Sequence, residues 1–364
     1  DQCLERWCEI PSFNRAGKMS TAGTYDAIHG LQGIFRRDPS VNAFGGYNQV
    51  ILYYCDSSNW IGSESHTGLT ATTGALAGTS YDIEFHGEAI VNDAFATLLA
   101  GPVAADPGPA ATFYSTPLPQ LTTADEIVLT GDSAGGGGLR HHIDRLRELL
   151  VNAIPGPPQV YGIVDAGAPP VLSDSWIDWS DPASPLDYPD YLLNDVVPRA
   201  EVFWGADSTA LDQSCLNAGF TAAHNAVGSH PEICYDTTFT LLNHISTPFF
   251  LHQDINDPLG REKYLSWNLF LSGPDFWRAQ ATQLMQVATG PGGLEPWAVQ
   301  PGAFGPKCDL HISILDNHFY SHHVNPAGLS FHDLVDNWRN GLAPASDIQP
   351  DFNAGAPYTP SICP

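Results

Sequence analysis

The chain has 364 residues, enough for one large hydrophobic core or two modest ones, and carries 40 acidic against 14 basic side chains, a formal net charge of −26. With 43% hydrophobic and only 15% charged residues its composition is globular rather than disordered. That acidity argues against nucleic acid and anionic membrane as partners, because both need basic patches, and no apolar run reaches the roughly 18 residues of a membrane span.

Residues 1–48 are mixed and loop-rich. "NQVILYYCD" (48–56) reads as a buried strand, and the Ser, Thr and Gly of 57–81 as a long loop. "FHGEAIVNDAFATLLA" (85–100) has helical spacing through Ile90, Phe95 and Leu98. A Pro- and Ala-rich connection (102–120) leads to the run Ile127, Val128, Leu129, which suits a buried strand. Leu139, Ile143, Leu146 and Leu150 then recur at the spacing of an amphipathic helix. "QVYGIVDAG" (159–167) is another strand, 168–243 is irregular, and "TPFFLHQDIND" (247–257) is a strand running into a loop. "PDFWRAQATQLMQVAT" (274–289) reads as a helix, and the tail 303–364 carries most of the remaining histidines. Strands alternating with helices predict an α/β fold, with a mainly parallel sheet covered by helices on both faces and long loop insertions. No linker, repeat or charge block breaks the chain, so a single domain over 1–364 is expected.

The most informative stretch joins the strand at 127–129 to its helix. Gly131-Asp132-Ser133-Ala134-Gly135 is a G-x-S-x-G match, and at a strand-to-helix turn it reads as a nucleophile elbow that holds the serine hydroxyl out at the end of the sheet. The N–H of Ala134 would then face a developing oxyanion. A phosphate cradle fits less well. No lysine follows the glycines as in a Walker loop, and Ser133 takes the place of the second glycine of G-x-G-x-x-G. A serine nucleophile needs a base and an orienting carboxylate, which follow in that fold as acid and then histidine. Asp254 and Asp257 stand after the strand at 247–252, and His311, His318, His322, His323 and His332 lie downstream. A chymotrypsin-type order fails, because His224 follows Ser133 and Ser133 opens a helix.

Seven cysteines are present, and their spacing fits no zinc pattern. Cys3/Cys8 and Cys215/Cys234 are local pairs, and Cys308/Cys363 would tie down the tail, as in a secreted protein with three disulfides. Cys55 is left over. The adjacent His141 and His142 point about 100° apart on a helix and cannot easily share a metal. The histidine-rich stretch 311–332 contains no H-E-x-x-H spacing, so no catalytic metal is expected.

Several patches, in order, resemble the pectin acetylesterase and Notum-like carboxylesterase family of secreted α/β-hydrolases. They are "CLERWC" (3–8), "GIFRRDPSVNAFGGYNQVILYYCDSS" (33–58), "FHGEAIVNDAFATLL", "LTGDSAGGGGLRHHIDRL", "GIVDAG", "TPFFLHQDIND", "KCDLHIS", "GLSFHDL" and the closing "SICP". Together they cover about half of the chain. The resemblance implies Ser133 as nucleophile, Asp257 rather than Asp254 as acid, and His332, in "GLSFHDL", as base. It also implies a Cys308–Cys363 bond. In that register the Gly-rich turn that supplies oxyanion donors falls immediately before Asp1, so the oxyanion hole is expected from Ala134 N–H and the backbone at Asp1. An N-terminal strand and oxyanion-loop segment is expected to precede Asp1, linked through Cys55, and any secretory leader to have been removed.

The implied activity is that of a secreted serine carboxylic ester hydrolase. It would remove an acetyl or other acyl group from a polysaccharide or protein, with no cofactor. Hormone-sensitive-lipase-like esterases share G-D-S-A-G-G and the D-P-L of Asp257-Pro258-Leu259, but their histidine follows the acid more closely than any does here. A non-catalytic binding or structural protein on an esterase fold is the alternative of another class.

Overall fold

The computed structural model describes residues 32–54, 57–74, 76–101, 119–167, 198–205, 210–217, 234–235, 240–241, 243–259, 281, 284–285, 289, 300–324 and 328–348. The chain forms two compact units. One comprises Asp1–His29, Asn48–Ala124 and Val197–Ala210, the other Gly30–Tyr47, Asp125–Val196 and Leu211–Pro364. They are interleaved along the sequence, so no linker marks a boundary between them.

In the first unit, β1 (Ser65–Thr70) and β2 (Ser80–Glu84) pair antiparallel, and α1 (Gly87–Ala100) follows. Val91 and Phe95 form the buried stripe of α1. The ring of Phe85 is fully buried and meets Phe203 edge to face, while His66 stacks on Phe203 with centroids 5.0 Å apart. Two expectations are corrected here. Residues 57–81 contain β1 and the start of β2 rather than only a loop. Residues 48–54 form no strand, and Val50 and Ile51 are exposed at 49% and 37%. β-Branched side chains favour a strand only where a sheet surface is there to pack on.

The second unit is built on a five-stranded sheet in the order β3-β4-β5-β6-β7, every neighbouring pair parallel. The strands are β3 (Glu126–Asp132), β4 (Gln159–Asp165), β5 (Phe249–His252), β6 (Gly302–Gly305) and β7 (Ser346–Ile348). All four residues of β5 are buried, the apolar run of a strand covered on both faces. Between β3 and β4 runs α2 (Ala134–Ala153), and further on come α3 (Gln213–Asn217), α4 (His318–Ser321) and α5 (Phe331–Arg339). Strand alternation shows how the sheet is covered. Gly162 opens space for Ile143 of α2, since a Cβ there would lie 2.2 Å from the Ile143 side chain. One residue on, Ile163 points to the other face, where it joins Phe250 and Phe304 in a core with Phe331, Leu334, Val335 and Trp338 of α5. Helices thus cover both faces, as the sequence predicts.

Ser330 caps α5. Its hydroxyl accepts from Asp333 N–H, and the Asp333 carboxylate accepts from Ser330 N–H, a reciprocal capping box. Cys215 and Cys234 form the expected disulfide, and Cys308 is disulfide-bonded. Cys3, Cys8, Cys55, Cys363 and Asp1 lie outside the described residues, as does most of the helix expected over 274–289. Among the described residues no helix is long and apolar enough to cross a membrane.

Candidate active site

All five parallel strands present their carboxyl ends at one edge of the sheet, where open α/β sheets bind ligands. The chain turns from β3 into α2 at Ser133, whose backbone sits at φ 51°, ψ −118°, a costly conformation for a residue with a side chain. Two hydrogen bonds hold it there. Ser133 N–H donates to Asp165 O at 2.8 Å, and Gly137 N–H donates to Ser133 O at 3.1 Å. The turn closes so tightly that a Cβ on Gly131 would sit 2.2 Å from Gly135 O. The first glycine of the motif is therefore required by backbone contact. Ala134 N–H is the first amide of α2, and such an amide has no acceptor within its own helix.

Asp257 stands on the loop after β5, and His311 on the loop after β6. His311 Nε2 lies 2.7 Å from Ser133 Oγ, and its Nδ1 lies 2.8 Å from Asp257 Oδ2. Asp257 is 1% exposed. Its Oδ1 accepts from Leu259 N–H at 2.9 Å, and its Oδ2 accepts from Gln253 Nε2 at 2.9 Å. Those bonds fix the carboxylate that fixes the imidazole. The His311 loop is also held from beneath, where Asp165 Oδ2 accepts from Ser313 N–H at 2.9 Å and Ile314 N–H at 2.7 Å. The geometry is that of a hydroxyl, an imidazole and a buried carboxylate in relay.

The structure brings Ser133 and Asp257 together, and the imidazole joining them is His311. This corrects the expectation of His332. His332 lies in the first turn of α5, where its Nε2 accepts from Ala43 N–H at 3.0 Å, its Nδ1 lies 3.2 Å from Asp333 Oδ1, and its ring meets Phe319 and Tyr320. The Ala43 bond ties the start of α5 to the segment around Ala43, while Nδ1 faces the neighbouring carboxylate of α5 itself. The signal for His311 was its place: "KCDLHIS" follows the strand after the acid-bearing one, where the base of such a sheet belongs. That strand, the four-residue Gly302–Gly305, carries no recognisable pattern. Asp254 is buried elsewhere, facing His252 and His322.

That second cluster is fully buried. His252 Nδ1 is hydrogen-bonded to Asp165 Oδ1. Burial pushes the His252 pKa down, but the carboxylates of Asp165 and Asp254 beside it prevail and raise it. Burial, with His252 adjacent, holds His322 down to about 2.

No protein-family model matches the chain. In sequence it is 26% identical over 166 residues to the palmitoleoyl-protein carboxylesterase Notum of Drosophila melanogaster, a match covering 45% of this chain and 20% of that protein. The match therefore spans about a fifth of the relative's length. Two crystal structures of the Wnt deacylase Notum from Drosophila superpose with TM-scores of 0.58 and 0.56 at 17% identity. Each covers 93% of this chain, which in turn covers 79% and 80% of theirs. At that identity the likeness is one of fold, the α/β-hydrolase fold. The chain is thus similar to Notum in sequence and in structure.

Proposed function

Because the chain is similar to Notum, with a hydroxyl–imidazole–carboxylate relay at the carboxyl edge of its sheet, we propose that it is a secreted serine carboxylic ester hydrolase. Ser133 Oγ attacks the ester carbonyl while His311 Nε2 takes its proton. The tetrahedral intermediate collapses, His311 returns the proton to the leaving alcohol, and an acyl group remains on Ser133. Water, deprotonated by the same nitrogen, then releases the carboxylic acid. Asp257 accepts from His311 Nδ1–H, which keeps Nε2 free to act as base and stabilises the imidazolium that forms. Ala134 N–H donates to the oxyanion. A second donor is assigned to the backbone at Asp1 by resemblance alone. The substrate class is an O-acylated protein or polysaccharide, an acyl-protein ester being the chemistry in the relative's name. Secretion accords with the Cys215–Cys234 disulfide.

The observation that carries this reading is the pair of distances at His311, 2.7 Å to Ser133 and 2.8 Å to Asp257. Its test is labelling by a fluorophosphonate probe together with hydrolysis of a short p-nitrophenyl ester. Ser133→Ala should lose the label and at least about 10⁴-fold in turnover, with an unchanged circular dichroism spectrum. A folded wild-type protein that neither labels nor turns over would instead make the chain a binding protein on an esterase fold.

A further inference from the structure

Three buried side chains outside the relay face one another. His252 ends β5, Asp254 stands on the loop that carries Asp257, and His322 follows α4. All three are 0% exposed. Among the described residues His252 Nε2, Asp254 Oδ2 and His322 Nε2 make no well-formed hydrogen bond, a costly state for polar atoms this deeply buried. One ligand-capable atom from each residue lies within 4.8 Å of the other two. Asp254 turns one oxygen to each imidazole, Oδ2 to His252 at 3.3 Å and Oδ1 to His322 at 3.5 Å.

We propose that His252, Asp254 and His322 hold one divalent transition-metal ion, zinc by the chemistry of the donors, as a structural site. Imidazole and carboxylate donors are those zinc takes, at about 2.0–2.1 Å and in four-coordinate geometry, which sets neighbouring donors about 3.3–3.4 Å apart. The 3.3 Å between His252 Nε2 and Asp254 Oδ2 matches that spacing. Two imidazoles disfavour magnesium and calcium, which prefer an all-oxygen set. The outer partners also fit. Asp165 accepts from His252 Nδ1–H, the carboxylate–histidine–metal arrangement in which Nε2 faces the ion. His322 Nδ1 rests on Ser313 Oγ at 3.2 Å, and Cys308 N–H donates to Asp254 Oδ1 at 3.1 Å. A dication would also balance the two buried carboxylates, Asp165 and Asp254. The ion would tie the end of β5 to the end of α4 across the loop bearing His311, so its role is to hold that loop and not to enter the chemistry.

The site is tested by metal content and thermal stability, which do not depend on esterase activity. The full-length protein, expressed with zinc and dialysed, should contain one zinc per chain by plasma mass spectrometry. Stripping the metal should lower Tm by several degrees, and Zn²⁺ should restore it. Loading Co²⁺ into the stripped protein should give the visible spectrum of a four-coordinate ion. His322→Gln should lose the zinc and the zinc-dependent Tm shift, whereas His318→Gln, on the adjoining helix turn, should keep both. Native wild-type protein that purifies without metal and whose Tm ignores Zn²⁺ would overturn the proposal. So would bound zinc that survives His322→Gln. If that variant does not fold, the wild-type stoichiometry and Co²⁺ spectrum decide alone.

Discussion

His311 and His332 are both partly exposed imidazoles in the last quarter of the chain, and their ring nitrogens tell them apart. His311 spends Nδ1 on a buried carboxylate and Nε2 on a serine hydroxyl. His332 spends Nε2 on the backbone of Ala43, a bond that joins α5 to the segment beneath it. The two alanine variants should therefore fail in different ways. His311→Ala removes the base and should cut p-nitrophenyl ester turnover by at least about 10³-fold with little change in Tm. His332→Ala leaves a backbone N–H without its acceptor and should cost about 1–3 kcal/mol in urea denaturation, with turnover per folded molecule near wild type. If His332→Ala abolished turnover in a stable protein while His311→Ala remained active, the relay described above would be wrong.

At the scale of elements, the His311 loop depends on a glycine far away in sequence. Gly33 adopts φ +53°, and a Cβ there would lie 2.2 Å from Ile314 O and 2.6 Å from Asp316 N. The neighbouring Ile34 N–H donates to that same Ile314 oxygen at 2.9 Å, and Tyr320 Oη donates to Gly33 O at 2.6 Å. The obstructing atoms are all backbone, so they move only if the loop moves. Gly33→Ala should lower stability by more than about 2 kcal/mol, beyond the roughly 1–2 kcal/mol of left-handed backbone strain alone, and should reduce kcat through displacement of His311. Gly68→Ala is the control. That glycine has φ +67° with open space around it, so only the strain is expected, with no effect on kcat. Equal losses in both variants would mean that the Ile314 contact contributes nothing.

The same scale shows what could be read from the sequence. The elbow was legible because three independent patterns meet there: the β-branched run at 127–129, the glycine spacing around Ser133, and the helical stripe from Leu139. β5 was legible as an unbroken apolar run, whose place left Asp254 and Asp257 as candidate acids and the resemblance favoured Asp257. β6 is Gly-Ala-Phe-Gly and β7 Ser-Asp-Ile, too short and too poor in β-branched residues to announce themselves. With β6 carrying no pattern, His311 has no visible strand to follow, and the resemblance assigns the base to His332 in "GLSFHDL" instead. The His252, Asp254 and His322 cluster was illegible for another reason: its members come from a strand end, a loop and a helix end, and only the sheet's register gathers them.

Over the whole molecule, a net charge of −26 means that mild acid should relieve self-repulsion as surface carboxylates take protons. His141 in α2 works in the opposite direction. It is 5% exposed, and burial, with His142 and Arg140 adding repulsion, holds its pKa down to about 3. In the unfolded chain it titrates near 6.5. Between those values the unfolded state carries a proton that the folded state refuses, so stability falls as pH drops from about 6.5 toward 3. Above about 6.5 both states are neutral and the contribution is flat. Other groups titrate over the same range, so the wild-type profile alone cannot isolate His141. The difference from His141→Gln can, because every other group is common to the two proteins. Urea denaturation of both at steps from pH 7.5 to 4.5 should show the variant less stable at neutral pH, where its packing is poorer. The gap should close as pH falls, by at most about 1.4 kcal/mol per pH unit, the limit for one proton. A gap that stays constant across this range would mean that His141 accepts its proton in the folded protein as readily as in the unfolded one, and the buried neutral imidazole would be refuted.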